Sequence, residues 1–242
     1  MNKILSFDYN KVNFKEKTKF VQKIFSDVAL YYDLMNDIMS FGTHRIWKKK
    51  FVDLINPTKN EVIVDVGSGS GDIVKEILKR KKNIRIDVVD LNKEMLNMGK
   101  KNIINKNVNF HLANAEELNF QNNFYDKYLI SFCLRNITNI EKALCEAFRV
   151  LKPGGIFFCL EFSTPETLLI SNIYKKYKSN FLPLAGKIVS NNKAAYNYLS
   201  QSIDLFPDQE QLKNKLTEVG FINVSYTNLF NGIVCIHTGY KI

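Results

Sequence analysis

Cysteine is scarce in this sequence. Cys133, Cys145, Cys159 and Cys235 form no CxxC pair, and Cys133, Cys159 and Cys235 sit in apolar runs. They read as small buried hydrophobes of a reducing compartment, with neither a disulfide framework nor a zinc site. Histidine is scarcer still: His44, His111 and His237 lie scattered, without metal-ligand spacing. No run approaches the roughly 18 apolar residues that a membrane span needs. No internal repeat, collagen-like period or coiled-coil stretch is present. Arginine is also thin, with 5 Arg against 29 Lys and 28 Asn. That skew is what AT-rich codons give, and it argues against phosphate reading by arginine forks. No arginine and aromatic motif supports nucleic-acid binding. The net charge of +10 still suits an anionic membrane surface. With 242 residues, 45% hydrophobic and 24% charged, the chain can bury a core as one domain, which excludes wholesale disorder and fibrous architecture.

What is present is an alternation. Residues 1–19 are polar and lysine-rich, with neither the apolar run of a secretory signal nor an arginine-rich transit pattern, and are expected to form a flexible arm. Over residues 20–55, Val21, Ile24, Phe25, Val28 and Ala29 recur at helical spacing. Two or three helices follow one another, breaking at Phe41-Gly42 and stopping at Asn56-Pro57. Short apolar runs at 61–66, 84–90, 107–114, 125–134 and 156–162 then read as strands. Helical patterns separate most of them, and Lys152-Pro153-Gly154-Gly155 stands as a turn before the fifth. This predicts an α/β fold with a doubly wound parallel sheet. Residues 163–205 break the rhythm with aromatic-rich helical pieces, expected as an insertion or lid over the sheet edge. Asp208 caps a helix that Gly220 ends. Two further strands joined through Asn231-Gly232 predict a terminal antiparallel hairpin. The whole of 1–242 is read as a single domain.

The first strand runs into Asp65-Val66-Gly67-Ser68-Gly69-Ser70-Gly71-Asp72, a D-x-G-x-G-x-G turn. Its glycines let the backbone turn sharply and approach a ligand closely. The nicotinamide fingerprint needs glycine where Asp72 stands. Acidic Asp65 and Asp72 would also repel a pyrophosphate. A cationic, phosphate-free cofactor fits better, and S-adenosylmethionine carries a sulfonium and an ammonium group. Asp90 closes the second strand, where a carboxylate can accept both ribose hydroxyls. Asn114-Ala115-Glu116 ends the third strand and can edge an adenine ring. Ser131 lies near the end of the fourth. The terminal hairpin resembles the added antiparallel strand of the class I methyltransferase fold, a Rossmann-like seven-stranded, mostly parallel sheet.

Several stretches together resemble the ubiquinone/menaquinone biosynthesis C-methyltransferases of the UbiE type. They are FSDVALYYDLMNDIMSFGTHRIWKK (25–49), SFCLRNIT (131–138), RVLKPGG with LEFSTP (149–155, 160–165), FPDQEQL (206–212) and the tail GIVCIHTGYKI. The KPGG turn is widespread among methyltransferases. The first stretch, the LRN segment and the tail are specific to this family. The resemblance implies that Ser70, Asp90, Asn114, Ala115 and Ser131 contact S-adenosylmethionine, and the loop pattern itself adds Asp65, Gly67 and Gly69 as expected cofactor residues. Three departures from the family pattern stand out. Ser70 stands for threonine, Gly67-Ser68 for Ala-Gly, and Cys133 for the glycine before the LRN core.

The implied reaction is C-methylation of a prenylated quinol ring, without metal. A ring carbon beside a hydroxyl becomes nucleophilic when that hydroxyl loses its proton. Arg135 and Asn136, just past the fourth strand, are the expected catalytic pair, with Arg135 holding the developing phenolate or orienting a water. Tyr32, Asp33 and Asn36 are expected on the quinol side or on a packed helix face. Tyr174, Tyr177, Phe181, Tyr196 and Tyr198 are expected over the polyprenyl tail or in plain core packing. A nucleic-acid amino-methyltransferase would carry an N/D-P-P-Y/F turn where SFCLRN stands. A scaffold that had lost chemistry would tend to lose the intact glycine loop as well. The resemblance implies a small-molecule quinol as partner and no nucleic acid. It leaves a homodimer and a place in a quinone-biosynthesis complex both open. The expected location is cytoplasmic, with reversible docking on the inner membrane face.

Overall fold

The structure, a computed structural model, describes residues 14–29, 32–181 and 193–242. Three helices come first, α1 (Phe14–Val28), α2 (Tyr32–Ser40) and α3 (Thr43–Ile55). The sheet follows as β1 (Val62–Val66), β2 (Arg85–Asp90), β3 (Val108–Leu112), β4 (Tyr125–Ser131) and β5 (Leu151–Phe162). Between its strands lie α4 (Asp72–Arg80), α5 (Lys93–Asn102) and α6 (Ile140–Val150). After β5 come α7 (Leu168–Lys176), which runs on into a π turn at Tyr177–Phe181, then α8 (Lys193–Asp204) and α9 (Gln209–Val219). β6 (Ile222–Leu229) and β7 (Val234–Tyr240) close the chain.

The seven strands lie in the order β3-β2-β1-β4-β5-β7-β6. The first five pair in parallel, and β7 runs antiparallel to both β5 and β6. The inner strands are buried on both faces, as parallel strands covered by helices must be. Alternate side chains serve two cores. Ile63, Val88, Leu129 and Phe158 pack against α3, α4 and α5. Val64, Val89, Ile130 and Phe157 pack against α6 and α9. Strand order reverses between β1 and β4, and such a switch point opens a crevice at the carboxyl ends of the strands.

Four boundaries differ from the sequence expectation. α1 begins at Phe14, so the expected arm already turns helical within residues 1–19. Lys17 Nζ donates to Ile137 O at 2.9 Å, and the hydroxyls of Thr18 and Thr138 meet at 2.8 Å. Residues 1–13 lie outside the described residues. The fourth strand stops at Ser131 because Phe132 takes a φ of +52° and a 3-10 turn, Leu134–Asn136, follows. The KPGG segment lies within β5 as a bulge, since the pairing jumps from Tyr125/Leu151 to Lys127/Ile156. The extruded backbone is caught by the chain end: Gly154 N donates to Lys241 O and Lys241 N to Gly155 O. The β6–β7 turn is longer than a two-residue hairpin, with positive φ at Phe230, Asn231 and Gly232.

Of the 163–205 segment, α7 and α8 supply Ile173, Tyr174, Leu199 and Ile203 to the wall of a cavity that also takes in Ser131 at the end of β4. Tyr196 and Tyr198 of α8 pack with Val21, Ile24 and Met35 of α1 and α2. Residues 182–192 of this segment lie outside the described residues. α9 carries a full capping box: Asp208 accepts from Gln211 N at 2.9 Å, and the Gln211 side chain accepts from Asp208 N at 3.0 Å. Replacing Asp208 by Ala is expected to cost about 1 kcal/mol. That would show as a lowered denaturant midpoint at unchanged slope. A midpoint indistinguishable from the parent would mean that water replaces the cap at no cost.

Candidate active site

The turn after β1 is built on three glycines in the left-handed region, Gly67, Gly69 and Gly71, with φ of +68°, +58° and +83°. Gly67 N and Ser68 N donate to Val89 O of β2. Asp90, at the end of β2, accepts from Gly69 N at its Oδ2 and from Asn92 N at its Oδ1, both at 2.8 Å. Asp90 therefore shapes the loop as well as facing the crevice. Each oxygen keeps a second lone pair for a ligand hydroxyl. Burial pushes the Asp90 carboxyl above its usual range, against the pull of these N–H groups.

Two cavities abut here. The narrower, about 110 Å³, is lined by Gly67, Gly69, Asp90, Asn114, Ala115 and Ser131, all expected cofactor residues. Asn114 Oδ1 accepts from Glu116 N, which holds the turn beyond β3. Glu116 Oε1 in turn accepts from the N–H groups of Thr138 and Asn139, closing the far wall. Asn136 also lines this narrow cavity. Its Nδ2 donates to Phe132 O and its Oδ1 accepts from Tyr198 OH at 3.0 Å. It thus ties the β4 turn to α8 and stands apart from the cavity into which Arg135 faces.

The wider cavity, about 360 Å³, takes in Asp65, Ser70 and Arg135, and shares Gly67, Ser131 and Phe132 with the first. Its walls are mainly aromatic. Trp47 packs against Phe132, Phe162 and Phe230 with ring centroids 5.7–6.1 Å apart. Tyr174 and Tyr177 line it from the 163–205 segment. Asn36 of α2 lines it too, whereas Asp33 is exposed and the Tyr32 side chain lies outside the described residues. Tyr196 and Tyr198 fall in the helical cluster behind, and Phe181 packs on Phe41 and Tyr177.

Arg135 is buried, and its partner is Glu161 of β5, itself 1% exposed. Arg135 Nη1 donates to Glu161 Oε1 at 2.8 Å and to Phe132 O, and its guanidinium lies 5.3 Å from the Phe162 ring centre. Burial pushes the Glu161 carboxyl up, opposed by Arg135. Asp65 is also 1% exposed. Its Oδ2 accepts from Ser68 Oγ at 2.6 Å, while its Oδ1 is buried with no hydrogen-bond partner among the described residues. Burial first, then the charges of Asp90 and Asp72, push its carboxyl up to about 7, against Ser68 and Lys48. An orphaned buried acceptor facing a cavity fits a cationic ligand, and the ammonium group of S-adenosylmethionine meets that demand.

The sequence reading passed over several of these residues. His44, Trp47 and Lys48 of α3 line the wide cavity. His44 Nε2 meets Asp37 Oδ1 at 2.8 Å, and burial lowers the His44 pKa against that carboxylate. The signal was there in part: positions 44, 47, 48, 51, 52 and 55 share one helical face, and Trp on that face marks it as buried. Glu161 carried no signal, since only the pairing of β4 with β5 brings it to Arg135.

Two departures from the family pattern explain each other. A Cβ built on Gly67 would lie 2.1 Å from Cys133 Sγ. The bulk at position 133 occupies the space that a larger residue at 67 would need. Gly67→Ala is expected to cost both stability and cofactor affinity, beyond the roughly 1–2 kcal/mol of its left-handed φ. Adding Cys133→Gly should recover everything but that strain, measured by thermal melting and by calorimetry with S-adenosylmethionine. A double variant no better than Gly67→Ala would show that the contact is not the cause.

Residues 11–241 match the model of the ubiE/COQ5 methyltransferase family. Ubiquinone/menaquinone biosynthesis C-methyltransferase UbiE of Rickettsia bellii (strain OSU 85-389) is 47% identical, over 98% of each chain. The protein of that name from Rickettsia prowazekii (strain Madrid E) is also 47% identical over 98% of each. Among solved structures, a SAM-dependent methyltransferase of Thermotoga maritima aligns with a TM-score of 0.65 at 19% identity, covering 92% of this chain and 100% of that one. A Haemonchus contortus phosphoethanolamine N-methyltransferase 2 bound to S-adenosyl-L-methionine aligns with a TM-score of 0.62 at 16% identity, over 97% and 61%. The structural neighbours share the seven-stranded fold, and the end-to-end match in sequence goes further: this chain belongs to the ubiE/COQ5 methyltransferase family.

Proposed function

We propose that this protein methylates a ring carbon of a prenylated quinol in ubiquinone or menaquinone biosynthesis, with S-adenosylmethionine as donor. One observation supports this reading above the others. A narrow polar cavity at the strand ends abuts a wide aromatic one whose wall holds a buried arginine. The cofactor supplies a methyl group on a positively charged sulfur, which leaves as a neutral thioether. Phe132 and Ser131 stand on the shared wall, where the two ligands would meet. The aromatic walls of Trp47, Phe162 and Phe230 suit a flat ring and exclude water. Arg135 stays charged at all working pH values and so cannot be the base. In an apolar chamber its charge stabilises the negative oxygen of an ionising quinol hydroxyl. Glu161 and the Phe162 ring act as positioning residues by fixing the guanidinium. Asn136 acts at one remove, holding the β4 turn against α8.

Purified protein, labelled S-adenosylmethionine and short-tailed benzoquinol and naphthoquinol substrates test the reaction. Ring methylation of at least one is expected, and none with either sinks the proposal. Arg135→Met alone strands a buried carboxylate, which costs roughly 3–5 kcal/mol. The informative variant is Arg135→Met with Glu161→Gln. It should recover much of the melting temperature, yet keep kcat lower by about a hundredfold. Normal kcat in this double variant would remove Arg135 from the mechanism.

The same reading extends to the membrane. No described helix is long and apolar enough to cross one. Exposed apolar side chains nevertheless lie at and next to the wide cavity: Phe41 (70% exposed) and Ile173 (56%) line it, and Leu168 (85%) and Leu169 (70%) begin the helix that carries Ile173. Lys175 and Lys176 end the same helix. This surface would dock on an anionic leaflet and draw a polyprenyl tail directly into the cavity. Leu168→Glu with Leu169→Glu is expected to abolish flotation with anionic vesicles while methylation of a tail-less quinol persists. Flotation equal to the parent would rule out this surface as the docking face.

A further inference from the structure

The cofactor's amino-acid end carries two opposite charges, and Asp65 answers only one of them. The carboxylate needs a cation. None of the residues lining the narrow cavity is a lysine or arginine. Among the described residues that line the wide cavity, the lysine and arginine side chains are those of Lys48 and Arg135. Arg135 is bound to Glu161, on β5. Lys48 stands beside the glycine loop.

Its one close carboxylate partner is shared. Lys48 Nζ lies 2.7 Å from Asp72 Oδ2, and Lys75 Nζ lies 3.0 Å from Asp72 Oδ1. Two ammonium groups thus share one carboxylate in the first turn of α4. Lys48 is the more deeply placed of the two, its side chain 13% exposed against 31% for Lys75, and of the two only Lys48 lines the cavity. Its ammonium carries three donor hydrogens, more than the one carboxylate contact uses. Ser68 and Ser70 line the same stretch of wall, and the Lys48 charge acts on Asp65 as well. A lysine and an aspartate that both line the cavity at the glycine loop, with donor hydrogens to spare on the first and an open oxygen on the second, match the two ends of a zwitterion.

We infer that Lys48 binds the carboxylate of S-adenosylmethionine, opposite the ammonium group at Asp65. The N-terminal helices then complete the cofactor site as well as covering it. This assignment concerns the cofactor alone and holds whatever the methyl acceptor is.

Decarboxylated S-adenosylmethionine keeps the sulfonium and the ammonium and lacks only the carboxylate, so it isolates the contact. By calorimetry, the parent protein is expected to prefer S-adenosylmethionine by roughly tenfold or more, the worth of a hydrogen bond between charged groups. Lys48→Met should lose that preference by weakening S-adenosylmethionine alone, with the decarboxylated ligand within about twofold of the parent. Lys75→Met, which also deprives Asp72 of a lysine, should retain the preference. If Lys48→Met does not fold by circular dichroism, Lys48→Gln keeps a donor for Asp72 while removing the charge, and the same collapse is expected. A lysine that merely fastens α3 to α4 would weaken both ligands equally and leave their ratio unchanged. That result, or a parent protein that binds the two ligands equally, would overturn the assignment.

Discussion

A carboxylate taken out of water must be paired, hydrogen-bonded or neutralised, and this site is arranged around that demand. Asp65, Asp90 and Glu161 lie at or beside the carboxyl ends of β1, β2 and β5. Each is answered differently. Asp90 takes two backbone N–H groups and so bends the glycine loop into place. Glu161 takes a guanidinium and two backbone N–H groups. Asp65 takes one hydroxyl and keeps one oxygen unmet. The first two are structural solutions with a functional by-product. The third is incomplete in the protein alone, and a cationic ligand completes it.

The same logic accounts for the packing behind the site. A loop that brings backbone close to a ligand cannot also carry side chains, so bulk must enter from elsewhere. At Gly67 it enters from Cys133, across the switch point. At Gly71 it enters from Ile103, whose Cδ1 would lie 2.3 Å from an added Cβ. The loop is thus held by neighbours on β4's turn and beyond α5, and its shape does not rest on its own glycines alone.

Legibility in the sequence followed the span over which each feature is encoded. The D-x-G-x-G-x-G turn, Asp90, Asn114 and Ser131 each sit at the end of a strand with a strong local pattern, so chain order alone places them along one edge. The capping box at Asp208 is local as well. Arg135 was visible as a charge next to a strand end. Its pairing with Glu161 was not, because that depends on the register of two strands separated by α6. Asn136 follows Arg135 in sequence, yet the 3-10 turn sends the two side chains to different cavities. Lys48 was hidden for another reason. In a chain with 29 lysines, one more on an amphipathic helix reads as solvent-facing until the helix is docked. The KPGG segment reads as a turn before the fifth strand because its proline and glycines favour one. The chain end at Lys241 supplies the hydrogen bonds that let the strand continue past it.

Function on this sheet is decided by what is laid over it. The fold is shared with methyltransferases under 20% identical to this chain, and a fold shared so widely does not specify a substrate. The residues that would discriminate come from three places outside the sheet. α3 brings Trp47, α7 brings Tyr174, and the β6–β7 turn brings Phe230. These elements also carry much of the exposed apolar surface near the cavity mouth. The proposed docking of that surface would take Leu168 and Leu169 out of water, worth roughly 25 cal/mol for each Å² of apolar surface buried.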